Sequence, residues 1–291
     1  MDACEFTRID LHMHSTVSDG TDVPQELIAR VKAAGIGLFA LTDHDAIHGC
    51  KQVISARADT DPRFIAGVEF SCKDEGGKYH ILGYGYDVSA APINALVDTT
   101  QALRLKKVHM RLEFLTSEFG FEFPPDEIEA LFANDRPGKP HIGNLMVKLG
   151  YASSKDDAIK NYIDKLRIPA SHIRPEAAIE AILNSGGIPV LAHPIYGDGD
   201  DLIMGHDMEE RLIRLMDLGI RGVEAYYSGF TRKMQQELLG YADRYDLLVT
   251  AGSDYHGKNK LIELGDNNLE DVAQAHPGLH RFLDEIADRI N

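Results

Sequence analysis

The chain has little cysteine: Cys4, Cys50 and Cys72 in 291 residues, with no Cys-x-x-Cys pair. That excludes a paired disulfide framework and reads as reduced thiols in a cytoplasm. No uninterrupted apolar stretch approaches the ~18 residues a membrane span needs. Charged residues at Asp2 and Glu5 also break any signal-peptide pattern, so the expected compartment is the cytoplasm. There is no phosphate-cradling P-loop and no Gly-x-Ser-x-Gly elbow. Basic residues are scarce too, 30 Lys and Arg against 46 Asp and Glu, for a formal net charge of −16. A broad basic face for duplex DNA is thereby excluded as a partner surface. Bound cations would soften the balance, since three divalent ions add +6 and leave about −10. A small anionic substrate can still dock at a locally positive site.

What the chain does have is alternation. Apolar, β-branched or aromatic runs fall at about 6–14, 37–43, 63–71, 79–86, 188–193, 221–226 and 247–253. Helical patterns such as Pro24 to Ala34, Pro175 to Asn184, Met208 to Leu218 and Arg232 to Tyr245 separate most of them. Strands alternating with helices predict parallel βα units, an α/β chain whose site lies at the C-terminal strand ends of a barrel. An open doubly wound sheet competes, but it binds at one crevice and would not gather ligands from many strand ends. Residues 92–172 break the alternation and read as a helical insertion covering the active site, leaving 1–91 and 173–291 for the barrel. Such additions commonly carry substrate choice.

The strand ends carry the chemistry. In Asp10-Leu11-His12-Met13-His14-Ser15 two imidazoles stand two residues apart, which on a strand points both to one face. Ser253-Asp254-Tyr255-His256 repeats the spacing near the other end of the chain. Between them, Thr42-Asp43-His44-Asp45, Gly67-Val68-Glu69 and Ala192-His193-Pro194 each end an apolar run with a potential ligand. Several strand ends delivering His, Asp or Glu predict one polynuclear metal site.

This ordered set, with Asp19-Gly20, resembles the PHP (polymerase and histidinol phosphatase) family of metal-dependent phosphoesterases, related to the amidohydrolases. The resemblance implies a distorted (β/α)7 barrel holding two or three divalent ions. It implies His12, His14, Glu69 and Asp254 on the first ion. Glu69 would bridge to a second ion on His80 and His193, with Asp19, His44 and His256 on a third. His80 is unusual in lying inside a strand, and its alternative is a core histidine bonded to backbone. Asp43 and Asp45 are expected to orient ligands rather than bind metal. Mixed imidazole and carboxylate donors suit Mn, Fe or Zn, with Mn favoured, and an all-oxygen site would suit Mg.

Clustered cations lower the pKa of water and neutralise charge building on phosphoryl oxygens, so phosphoester hydrolysis is expected, with a metal-bridging hydroxide as nucleophile. Within the family the chain resembles compact bacterial members, 3′,5′-nucleoside bisphosphate phosphatases and 5′→3′ exonucleases on short RNA. The implied reaction is pAp to AMP and phosphate. Arg136 and Lys139, joined by His141, would grip the phosphate not being cleaved. The Gly138-Lys139-Pro140 run between Arg136-Pro137 and His141 departs from the family's Arg-Pro-His pattern. Tyr226 or Tyr227 would stack on the base. The alternatives are an exoribonuclease on short RNA, a histidinol-phosphate phosphatase and a non-catalytic metal-stabilised binding module. The last goes with missing ligands, and here all nine positions are filled.

Overall fold

In a computed structural model the described residues are 6–134, 136–168, 172–197 and 201–291. Cys4, and Asp135 within the Arg136 segment, lie outside them. Contacts divide the chain into two units, residues 1–97 with 173–291, and residues 98–172.

The first unit is a seven-stranded barrel with its strands in chain order. They are β1 (Ile9–Asp10), β2 (Leu38–Leu41), β3 (Arg63–Asp74), β4 (Gly77–Tyr84), β5 (Ile188–Leu191), β6 (Gly222–Tyr227) and β7 (Leu248–Gly252). The segments after β1 and β7 close the ring. Leu11 N–H donates to the Ala251 carbonyl at 2.9 Å, Asp254 N–H to His12 O at 2.8 Å and His14 N–H to Tyr255 O at 2.8 Å. Buried strand residues such as Leu38, Phe39, Ile81, Val190 and Val249 explain the near-continuous apolar runs, since barrel strands are covered on both faces.

The sheet is mixed rather than all parallel. β4 runs antiparallel to both β3 and β5, while the other pairs are parallel. The reason is local: only Glu75 and Gly76 separate β3 from β4, far short of the roughly 10–12 residues a parallel crossover needs. Reversal has a consequence for the site. The beginning of β4 meets the end of β3, with His80 opposite Ser71, so His80 reaches the ligand end of the barrel from inside a strand.

Helices α1 (Pro24–Ala33), α2 (His48–Ala56), α7 (Pro175–Asn184), α8 (His206–Asp217), α9 (Arg232–Tyr245) and α10 (Pro277–Ile286) also belong to the first unit. Proline opens α1, α7 and α10, where its missing N–H costs nothing and its fixed φ suits the first turn. The second unit takes most of α3 (Ala91–Phe119), then α4 (Pro125–Phe132), α5 (Lys139–Lys148) and α6 (Lys155–Asn161). It has its own core, built on Val108, Leu112, Leu115, Ile142, Leu145 and Met146, with Phe121 stacked on Tyr151 at 4.3 Å.

Phe282 of α10 is fully buried and meets the Tyr84 ring edge-on at 5.3 Å. Phe282→Ala is expected to cost about 3–5 kcal/mol in urea unfolding. The folded fraction should keep its full complement of bound metal, measured by elemental analysis.

Candidate metal centre

Strand geometry collects the donors at one end of the barrel. His12 and His14 follow β1, His44 follows β2, Glu69 and His80 lie in β3 and β4, His193 follows β5, and Asp254 and His256 follow β7. The turn into the site is tight: His193 has φ 24° and Asp254 φ 59°, and neighbouring Asp45 has φ 50°. Non-glycine residues avoid this region, so the surrounding bonds must hold these backbones in place. Gly252 answers a closer constraint. A Cβ there would lie 2.1 Å from His12 Cβ and 2.6 Å from Glu224 Oε1, so only glycine lets β7 approach.

Glu69 stands at the centre, fully buried. Its Oε2 lies 3.2 Å from both His12 Nε2 and His14 Nε2. Asp254 Oδ1 completes that group, at 3.2 Å from His14 Nε2 and 3.6 Å from His12 Nε2. The other oxygen, Oε1, lies 2.7 Å from His80 Nδ1 and 3.1 Å from His193 Nε2, with those nitrogens 3.2 Å apart. Beside the first group, Asp19 lies 3.3 Å from His256 Nε2, 3.6 Å from His14 Nδ1 and 3.9 Å from His44 Nε2. His44 faces two ways, since its Nδ1 is also 3.1 Å from Glu69 Oε2. Donors sharing one ion at ~2.1 Å lie roughly 3.0–3.4 Å apart by simple geometry, close to the spacings found. All nine expected donors therefore meet in one cluster.

Four of these atoms make the fit to metal specific. His12 Nε2, His14 Nε2, His44 Nδ1 and Glu69 Oε2 are buried with no hydrogen-bond partner among the described residues. A buried polar atom left so costs about 1–3 kcal/mol, and cations held by the donor groups to which these atoms belong would satisfy them. The nitrogen and oxygen donors suit Mn, Fe or Zn.

The opposite ring nitrogens are held in place. His12 Nδ1–H donates to Glu224 Oε1 at 2.9 Å, and Glu224 Oε2 accepts the His193 backbone N–H at 2.8 Å. His256 Nδ1–H donates to the Asp254 carbonyl at 2.8 Å. His14 Nδ1–H donates to Ser18 Oγ at 3.3 Å, and Ser18 in turn donates to Asp43 at 2.6 Å. Once a ring is neutral, each bond favours the tautomer with the Nε2 lone pair aimed inward. Asp43 thus reaches His14 through Ser18, and Asp45 Oδ1 accepts the Ser71 N–H at 3.1 Å. Buried Asp10 ties β1 to the β7 end, accepting from Ser253 N–H at 3.0 Å and Ser253 Oγ at 2.6 Å.

Glu224 was not singled out from the sequence, although a carboxylate inside the apolar run Gly222–Tyr227 is a visible signal. A β-bulge between Glu224 and Tyr226 changes the alternation of β6. Glu224 and Tyr227 both reach the centre, while Tyr226 accepts the His276 backbone N–H. Tyr227, expected to stack on a base, is buried and packs on His193, Tyr196 and Phe230. Its hydroxyl donates to Asp254 Oδ2 at 2.9 Å. Burial and the Asp254 carboxylate push its pKa far up, so it remains a donor. In the second unit, Lys139 opens α5 and pairs with Asp164. His141 is half-buried, and burial with Arg104 nearby lowers its pKa.

Electrostatics within the cluster are reciprocal. Burial alone would raise Glu69, but His44, His80 and His12 hold it well below the usual carboxylate range. Burial alone would lower His14, but Asp254 and Glu69 raise it to about 9.

The site and fold define a metal-dependent phosphoesterase, and known proteins agree. Residues 10–123 match the PHP domain. A 5′-3′ exoribonuclease of Haemophilus influenzae is 32% identical over 278 residues, covering 94% of this chain and 99% of that protein. A 3′,5′-nucleoside bisphosphate phosphatase of Chromobacterium violaceum is 28% identical, covering 86% and 88%. An amidohydrolase structure from Chromobacterium violaceum, solved with sulfate and no metal, superposes with a TM-score of 0.74 at 26% identity, covering 98% and 97%. The chain belongs to the PHP family.

Two outcomes follow. Glu224→Ala is expected to weaken Mn binding by roughly 10–100-fold, and Glu224→Gln by less, measured by competition with a chelating dye. Binding must also expel a proton from His14 below pH 9. Mn affinity of chelator-stripped protein should therefore rise between pH 6.5 and 9, by up to about tenfold per unit for each proton released. Calorimetry in buffers of different ionisation enthalpy counts those protons.

Proposed function

We propose that this PHP phosphoesterase breaks the bond between phosphorus and the 3′ oxygen of a 5′-phosphorylated nucleotide, converting pAp to AMP and phosphate. The observation that carries the reading is Glu69, whose two oxygens each face a separate group of histidines. That arrangement suits a paired-cation site, and paired cations are well matched to in-line displacement at phosphorus. When bound, divalent ions activate water near neutral pH and stabilise charge on the phosphoryl oxygens.

The chain's residues supply order around that chemistry. Glu224 and the Ser18–Asp43 pair hold His12 and His14 in register, and Tyr227 holds Asp254. An oxygen from water joins phosphorus, the P–O3′ bond breaks, and the 3′ oxygen leaves with a proton. Mn is the favoured metal. No described helix is long and apolar enough to cross a membrane.

Short RNA is the second reading, favoured by the 32% identical exoribonuclease. Cleavage at the 3′ oxygen of the 5′-terminal nucleotide breaks the same bond. It releases a 5′-nucleotide and leaves a 5′-phosphate on the shortened strand.

Mn-loaded protein is expected to release phosphate from pAp in preference to AMP or histidinol phosphate, with AMP as product. Preference for a 5′-phosphorylated trinucleotide would favour the RNA reading, and preference for histidinol phosphate would overturn both. Asp254→Ala and His193→Ala are each expected to lower turnover by about 10³-fold or more, equal to several kcal/mol of lost transition-state stabilisation. Their circular dichroism should stay native. Undiminished hydrolysis in either variant would reject the proposed ligands.

A further inference from the structure

Asp254 is shared between two surroundings. Its Oδ1 faces His12, His14 and His256 inside the centre. Its Oδ2 accepts from the buried Tyr227 hydroxyl at 2.9 Å and from Lys260 Nζ at 2.6 Å. Asp254 is 4% exposed, whereas the Lys260 side chain is 37% exposed. The lysine therefore spans from a ligand carboxylate to solvent.

Satisfying Asp254 does not require that lysine. Tyr227 already donates to Oδ2, and Oδ1 lies among imidazoles. A partly exposed ion pair adds little stability once screened by water. A cation on a ligand carboxylate also draws charge away from the metal-facing oxygen, which by itself works against metal affinity. Its remaining ammonium protons are free of that cost if they serve an anion arriving at the centre. Phosphoryl oxygens are such an anion, and cationic donors beside them act most strongly in a partly desolvated site.

The loop bearing Lys260 is built to hold it in place. Lys258 N–H donates to Thr21 Oγ1 at 3.0 Å, and Asn259 Nδ2 donates to the carbonyl of Asp19, a proposed ligand, at 2.7 Å. Past the lysine, Gly265 N–H donates to Asp10 Oδ2 at 2.8 Å. The loop is thus pinned on both sides of Lys260 to the segments that carry donors, a preorganised mount for one cation.

We propose that Lys260 grips the phosphoryl oxygens of substrate and of released phosphate at the metal centre. The inference rests on phosphoester cleavage at the Glu69 centre and not on which nucleotide is cleaved.

The test compares Mn-loaded wild type with Lys260→Met, Lys260→Gln and Lys260→Arg. Mn per chain is counted by elemental analysis, and inorganic phosphate binding is measured by calorimetry. The neutral variants are expected to keep the wild-type Mn count and to bind phosphate roughly 10–100-fold more weakly, the loss of one charge-assisted hydrogen bond. KM for a phosphoester should rise in parallel, and Lys260→Arg should recover most of the binding. Unchanged phosphate affinity in both neutral variants would overturn the proposal. So would a fall in Mn count that accounts for the lost phosphate binding, because Lys260 would then be supporting Asp254. A wild type that binds phosphate but cleaves no nucleotide would sink the nucleotide reading, and the phosphate comparison would still decide Lys260.

Discussion

The structure of the barrel unit depends on one buried carboxylate. Glu69 carries charge into a fully enclosed position, which is tolerable only with opposite charge or strong donors close by. Five imidazoles supply that surrounding, from His12, His14, His44, His80 and His193. Those residues come from four different strand segments, after β1 and β2, within β4 and after β5, so the barrel must close for the carboxylate to be compensated. Folding and assembly of the site are in this sense one event. Glu69 holds two donor groups together, and the barrel holds Glu69.

Closure is itself made by residues of the site. Backbone bonds among His12, His14, Asp254 and Tyr255 join the segments after β1 and β7, and Asp10 clamps the same seam through Ser253. Gly252 permits the close approach that brings His12 against Glu224. The left-handed backbones of His193 and Asp254 fit this picture, since strain in a ligand segment persists only where surrounding bonds over-determine it.

Much of this was legible in the sequence for physical reasons. The i, i+2 pairs His12/His14 and Asp254/His256 are local, and a strand translates that spacing directly into a shared face. Seven apolar runs were legible because both faces of a barrel strand are buried. The direction of β4 was less so, because an apolar run reads the same either way. Only the short Glu75-Gly76 connection distinguishes a hairpin from a crossover, and the same reversal explains how His80 reaches the centre from inside a strand. The bulge in β6 left no pattern in the sequence, so Glu224 and Tyr227 could not be placed on one side by alternation. Partners set by loop geometry, such as Lys260 with Asp254 six residues away, or by tertiary folding, such as Lys139 with Asp164, have no periodicity to reveal them.

In the proposed reading Glu69 would face a separate cation with each of its carboxylate oxygens. Anomalous diffraction at the Mn edge from Mn-soaked crystals tests it most directly. Two strong peaks flanking Glu69 are expected, about 3.5–4 Å apart, one among His12, His14 and Asp254 and the other beside His80 and His193. A single peak, or peaks that leave either Glu69 oxygen without a metal contact, would contradict it.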